Sequence, residues 1–397
     1  MTPLFRKILS MNWGLILTMY GLLIFGVFSI ESAARHLEQG GEWYAKRQQL
    51  WIILGSVVYF ITALIDYRWF KWMGIPMYLV GLGCLIYMVG VKNDVHSLQF
   101  GGINFQPTQL IIAAGILMIG FSLESLPKLH RIFAAPFTRL LLIGLLCGIP
   151  FLLVVINGDM GSAIVWIPVA LVAMLIGGIP FRYLSLIGIV VIAIIPVVYY
   201  LILPIASERG SARINQYLEF LQEGEVELSD ETYAAYYVPM AVGKAGWKGA
   251  GWNAGPEKNS IHSKRYIPWT TAHNDYIFAV IAEEQGFRGS ILLISGFTFL
   301  IVQCLFVAFY SRDFSGQMIA AGVVALFFAH AFESIGMCVL LMPITGIPLP
   351  LISYSGTFVI ICMFLLGLVQ SIWVHRRHEQ RKAPVSFPYP SGASIST

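Results

Sequence analysis

Ten stretches of the chain are apolar over nearly the length that a helix needs to cross a bilayer, and this limits what it can fold into. A bilayer core takes ~20 consecutive apolar residues per helical span. Runs of that kind fall near residues 12–30, 49–65, 73–91, 107–122, 139–156, 162–177, 183–203, 289–309, 317–341 and 354–374. Hydrophobic residues make up 57% of the chain and charged ones only 12%, whereas soluble domains carry about 25% charge. The expected fold class is an all-α polytopic membrane protein with about ten transmembrane helices. Arg6 and Lys7 precede a full-length first span without a small-residue cleavage site, so no cleavable signal peptide is expected.

Basic residues orient the spans, because cytoplasmic loops collect Lys and Arg. With the N-terminus inside, thirteen basic residues fall on cytoplasmic segments, among them Arg68, Lys128, Arg131 and Arg182. The short outer segments hold four: Arg35, Lys46, Arg47 and Lys92. This bias puts both termini in the cytoplasm and a large loop between spans seven and eight, residues 204–274, outside. The loop belongs to a membrane domain running from 1 to 378, and residues 379–397 read as a disordered cytoplasmic tail. All five cysteines lie in spans, as small packing residues rather than clasps or metal ligands. The formal charge of +4 reports mainly the inner loops, and no nucleic-acid partner is expected.

Polar residues gather toward the outer side. Residues 219–231, "EFLQEGEVELSDE", form an acidic arm of the kind that stays solvated. Residues 243–265 interleave Lys244, Lys248, Lys258, Lys264 and Arg265 with glycines and two tryptophans. Glycines admit an anion to backbone amides and lysines add charge. The stretch is therefore either a phosphate-facing loop or a basic loop of the membrane interface. In "LLMPITGIPLPLISYSGT" (340–357), three prolines and a glycine break any helix. Broken backbone at membrane depth needs protein or a cavity to cover it, so a packed, partly re-entrant element is expected.

Asp159 in "NGDMGSA" and Asp275 in "TTAHNDYIFAVIAEEQG" both stand where a helix begins. Each is a candidate functional acid and equally a candidate N-cap. His330 and Glu333, three apart in span nine, are either a functional pair or a structural contact between helices. Such a set fits an enzyme acting on a lipid-linked substrate, a transporter or flippase, or a scaffold. Transporters usually place ionisable groups near the midplane, so the outer position of these acids favours surface chemistry.

Four motifs sharpen the choice. "GMCVLLMPITGIPLPLISYSGT", from Gly336, is similar to a G-M-x-x-x-L-x-P-x-x-G-x-P-L-P-x-x-S-Y-G-G-S signature. "AHNDYIFAVIAEEQGFRGS" is similar to H-T-D-F-I-F-A-x-x-A-E-E-x-G, "NGDMGSA" to P-D-L-G-T-A, and "AVGKAGWKGAG" to A-I-G-S-G-G-L-x-G-K-G. Over roughly residues 10–378 the chain thus resembles the SEDS family (shape, elongation, division and sporulation), the RodA/FtsW peptidoglycan glycosyltransferases. Its T-G-I-P-L-P wording is nearer the RodA branch.

The resemblance implies polymerisation of lipid II during cell elongation. An acceptor sugar hydroxyl attacks the anomeric carbon of the donor, undecaprenyl pyrophosphate leaves, and the linkage inverts. Asp275 maps onto the aspartate on which polymerisation depends, a carboxylate able to act as general base. Arg213, Lys248 and a divalent cation (Mg or Mn) are implied around the leaving pyrophosphate. His273, Asp159, Pro350, Ser353 and Tyr354 are implied substrate contacts, and a class B penicillin-binding protein, a transpeptidase, is the implied partner.

The chain also departs from the family pattern. Q-P-S-E-x-x-K reads "QPTQLII", so Gln109 and Ile112 stand where a Glu–Lys pair would. Ala250 replaces the Lys of G-K-G, Tyr266 to Trp269 replace Phe-Leu-Pro-Glu, and Y-G-G-S has become "YSGT". Three readings stand beside the first: an FtsW-like division homologue, a lipid II flippase, and a weakly active scaffold for a class B penicillin-binding protein. The orientation has a direct test. Cysteine in place of Ser229 should react with a membrane-impermeant thiol reagent in intact cells; labelling only after permeabilisation would invert the topology.

Overall fold

The computed structural model describes residues 3–91, 98–100, 103–197, 215, 218 and 233–376. A short helix α1 (Pro3–Leu9) is followed by α2 (Trp13–Ala33), α3 (Gly40–Leu64), α4 (Lys71–Val91), α5 (Pro107–Leu129), α6 (Pro136–Ile156), α7 (Met160–Ile176) and α8 (Phe181–Val197). Beyond the next segment come α9 (Tyr233–Lys244), α10 (Ile277–Phe309), α11 (Phe314–Cys338) and α12 (Gly356–His375). Each of the ten apolar runs carries a helix. Eight candidate spans are long and apolar enough to cross a membrane, while α7 and α8 have 17 residues each. The acidic arm 219–231, Arg213 and the tail 379–397 lie outside the described residues.

Helices in lipid gain no hydrophobic drive from touching one another, so close packing holds them together. The most buried spans are α11 and α12. Helix α3 runs along α12, α10 packs on α2 and α11, and α5 and α7 pack on α11. Between Cys338 and Gly356 the chain forms no helix, as the prolines require, yet Ile347, Leu349, Leu351 and Ile352 are almost wholly buried. Helix α2 lies so close that a Cβ on Gly26 would stand 2.9 Å from the carbonyl oxygens of Leu351 and Ile352. Leu340 (φ 59°) and Leu351 (φ 64°) take left-handed backbone there, at about 1–2 kcal/mol each. The expected re-entrant element is thus a packed one.

The helix boundaries differ from the apolar runs in two places that matter for the site. Helix α3 begins at Gly40, well ahead of residue 49, because Glu42, Lys46, Arg47 and Gln48 continue a helix that hydropathy cannot see. Helix α10 is two helices joined across Gly286 (φ 69°, ψ −163°): a half-helix over 277–285 and a span from 287 onward. A short hairpin stands among the helices without changing the all-α class. Leu98–Phe100 and Ile103–Phe105 pair as an antiparallel hairpin, with strands too short to show alternation in sequence.

Gln109 and Ile112 are both buried on α5, and Gln109 Nε2 lies 3.5 Å from Ser162 Oγ. A lone buried charge costs about 3–5 kcal/mol, and a good pair recovers much of that. Gln109→Glu and Ile112→Lys should each lower the folded yield in detergent, and the double variant should lose less than the sum. Additive losses would show that the two positions do not face each other.

Candidate functional site

The segment leading to Asp275 is built by local turns and then seized by the proline-rich loop. Asn274 and Asp275 both donate their backbone N–H to the Thr271 carbonyl at 3.0 Å. The Tyr354 N–H donates to the His273 carbonyl at 3.0 Å. Ser353 is 1% exposed; its Oγ donates to the Asn274 carbonyl at 2.5 Å and accepts the Leu349 N–H at 2.8 Å. One hydroxyl thus ties the loop to the residue before Asp275.

This arrangement borders a cavity of about 520 Å³ lined by Asp275, Asn274, His273, Thr270, Pro348, Tyr354, Ser355 and Gly356. Its remaining walls come from Gln106 and from α3 with the turn before it: Gln39, Trp43, Tyr44, Arg47 and Trp51. The volume is typical of a small-molecule site. Tyr44, His273 and Tyr354 form a triangle of rings with centroids 4.8, 5.1 and 5.4 Å apart. Arg47 lies over the Trp43 ring at 4.9 Å, a cation–π contact that keeps the guanidinium's charge while fixing its place. An acid, a fixed cation and aromatic faces suited to a sugar ring therefore share one chamber.

The residues singled out in the sequence divide sharply. Asp275, His273 and Tyr354 line the cavity; Ser353 braces it from behind. Pro350 is buried within the loop, and Pro348 is the proline that faces the cavity. Asp159 caps α7, its Oδ1 accepting the Ser162 N–H at 3.0 Å. The N-cap position of α10 is Tyr276, the residue after Asp275. Lys248 is exposed and does not line the cavity. Its glycine neighbours do not present their amides to an anion: Gly249, Ala250 and Gly251 donate to the carbonyls of Ala245, Glu283 and Glu284 at 3.0, 2.9 and 2.8 Å. His330 and Glu333 are buried under the loop and do not reach the chamber.

Hydropathy starts α3 at residue 49 and so hides Trp43, Tyr44 and Arg47 as site residues, and it presents Trp51 as one more apolar residue of the span. Their spacing, i, i+1, i+4 and i+8 from Trp43, puts them along one helical stripe, which was the available signal. Among the described residues no group of three or more His, Cys, Asp or Glu could hold a metal. Magnesium commonly binds through one or two carboxylates plus substrate phosphates.

A chamber of this chemistry between polytopic helices defines a multi-pass membrane protein with a binding site at one rim of its bundle. Residues 8–378 match the family model FTSW_RODA_SPOVE, cell cycle protein, and the chain belongs to that family. It is 28% identical to the peptidoglycan glycosyltransferase MrdB of Escherichia coli K12, over 82% of this chain and 84% of that one. It is equally 28% identical to an FtsW of Geobacter sp. strain M18, over 91% and 95%. The rod shape determining protein RodA of Thermus thermophilus shares the fold, with a TM-score of 0.64, 22% identity and coverage of 92% and 98%. A chain of a peptidoglycan synthase complex that coordinates polymerization and crosslinking superposes with a TM-score of 0.73 at 22% identity, over 93% and 99%.

Burial brings the His273 imidazole down to about 4, so the ring is neutral near pH 7. The unfolded chain titrates near 6.5 and takes up a proton first as pH falls. The stability held by neutral His273 is complete above about 6.5 and is lost as pH drops toward 4. His262, brought to about 3 by burial, acts in the same direction. The thermal midpoint of the purified protein should fall over that range, and His273→Asn should make the fall shallower; an unchanged slope would remove His273 from the account.

Proposed function

We propose that the chain polymerises lipid II as a peptidoglycan glycosyltransferase at the outer face of the bacterial inner membrane, with both termini cytoplasmic. The observation that carries this reading is the shared chamber of Asp275 and Arg47. The naming of relatives as peptidoglycan glycosyltransferases supports it. In this reaction Asp275 takes the proton of the acceptor's GlcNAc 4-hydroxyl as its oxygen bonds to the donor's MurNAc anomeric carbon. The bond from that carbon to the diphosphate breaks, and undecaprenyl diphosphate departs with the electron pair. Attack from the opposite face turns an α linkage into a β one.

Arg47 is the cation of the chamber and is assigned to the leaving diphosphate, in place of Lys248. A fixed guanidinium matches phosphate oxygens better than a mobile ammonium. Trp43, Tyr44 and Tyr354 offer ring faces to the sugars. Neutral His273 packs between the tyrosines and adds no competing positive charge near the base. A transpeptidase of the penicillin-binding class is the proposed partner, in line with the synthase complex to which the fold is similar. An elongation role follows from the T-G-I-P-L-P wording; relatives of both branches stand at 28% identity.

Asp275→Asn keeps size and polarity but removes the proton acceptor, and general-base catalysis is typically worth about 10²–10⁴-fold. The variant should keep the yield and thermal midpoint of the parent and make almost no glycan from lipid II. Asp159→Asn should leave stability and polymerisation near the parent, because asparagine caps a helix about as well as aspartate, whereas Asp159→Ala should lose about 1 kcal/mol of stability. Polymer within a few-fold of the parent from Asp275→Asn would remove Asp275 as the base; a parent that moves lipid II between leaflets without polymer would be a flippase, and one that binds its partner with neither activity a scaffold.

A further inference from the structure

Two consecutive glutamates, Glu283 and Glu284, are 5% and 2% exposed and lie outside the cavity. They end the half-helix 277–285, whose residues from Ile277 to Glu284 are all buried. At nine residues this half-helix is about 13 Å long, with Asp275 just before its start. The break at Gly286 frees the last carbonyls of the half-helix, and the outer loop takes them: Ala250 N–H binds Glu283 O and Gly251 N–H binds Glu284 O. The contact is so close that a Cβ on Gly249 would stand 2.4 Å from the Glu284 carbonyl oxygen, and one on Gly286 would stand 2.4 Å from the Gly249 nitrogen.

The two side chains do different things. The Glu284 carboxylate accepts the Ser32 hydroxyl and lies 4.0 Å from Arg35 Nη1, which ties the half-helix to the end of α2. The Glu283 carboxylate uses both oxygens on the main chain: one accepts the Ile261 N–H and the other accepts the His262 N–H at 3.0 Å. From that point the chain folds back, with Tyr266 N–H on Ile261 O and Arg265 N–H on His262 O. It then runs through the fully buried Ile267 to Thr271 and Asp275, enters the half-helix and returns to Glu283. The carboxylate closes a ring of main chain with Asp275 inside it. Bonds from backbone N–H groups to a buried carboxylate are charge-assisted and roughly twice as strong as neutral ones.

Resting on the proposed polymerase reading, we propose that Glu283 is a positioning residue for Asp275: it locks the ring 261–283 and thereby holds the base at the acceptor hydroxyl. It touches no cavity wall, so it acts on orientation rather than on substrate binding. Small displacements of a base lower turnover steeply without weakening ground-state contacts.

The test uses Glu283→Gln in the full chain, purified in detergent. Glutamine supplies one acceptor oxygen and turns an amide N–H toward the second backbone donor. Per folded molecule, kcat for glycan formation from lipid II should fall about tenfold or more, with KM within threefold. Amide hydrogen exchange over 271–276 should accelerate, although the substitution is remote in sequence. Unchanged exchange there overturns the proposal, as does a rise in KM with kcat preserved. Where Glu283→Gln does not fold, Glu283→Asp, with the charge on a side chain one methylene shorter, carries the same two readouts. A parent protein that makes no polymer sinks the polymerase reading, and the exchange measurement still decides whether Glu283 holds the segment.

Discussion

The hydroxyl of Ser353 is the interaction on which the site depends. It lies in broken backbone beside the spans, where every main-chain group must find a partner inside the protein. By donating to the Asn274 carbonyl and accepting the Leu349 N–H, it joins two segments that are 79 residues apart in sequence. The Tyr354 N–H on the His273 carbonyl makes the junction two-pronged. Without this junction the proline-rich loop would have no fixed height over the bundle, and Pro348, Tyr354 and Asp275 would not share a cavity. The left-handed leucines at 340 and 351 are tolerated because the packing around them leaves no relaxed alternative.

A second closure, at the far end of the half-helix, reassigns the glycine-rich stretch 246–251. Gly249 and Gly286 meet backbone to backbone, each with positive φ, and the intervening amides satisfy the carbonyls that the helix break exposes. The glycines serve the fit of one segment against another, and under the proposed reaction the anion is met in a different part of the molecule. That part is the start of α3, where Arg47 rests on Trp43. A lysine on an exposed loop is a mobile, hydrated charge, whereas a guanidinium laid on an indole at a cavity wall is already in place.

Hydropathy made the bundle legible, because a stretch of apolar residues long enough to span a bilayer has few alternatives. Every apolar run became a helix, and the prolines of 340–357 announced the non-helical insert. What hydropathy could not resolve were helices that outlast their apolar section. Residues 40–48 are polar enough to look like loop, yet they extend α3 and carry Trp43, Tyr44 and Arg47 of the cavity wall. Cap chemistry was legible only as a choice: Asp159 and Asp275 offered the same local pattern, and the bond from the Ser162 N–H identifies Asp159 as the cap of α7. The role of Glu283 was hidden for a different reason. Its partners are backbone amides at 261 and 262, and no side-chain pattern reports an amide that lacks a partner.

The acid and the cation of the chamber are carried by different elements. Asp275 stands at the N-terminal end of the half-helix, where the helix dipole favours negative charge; Arg47 stands on α3, a separate helix. Under the proposed reaction, the base and the leaving-group cation serve different parts of the substrate. Mounting them on two elements lets each be fixed by contacts of its own. The Trp43 face holds Arg47, and the Ser353 junction with the Glu283 ring holds Asp275. A bound diphosphate would meet the first and an acceptor hydroxyl the second, so the order of charges in the wall also sets the direction in which the sugars lie.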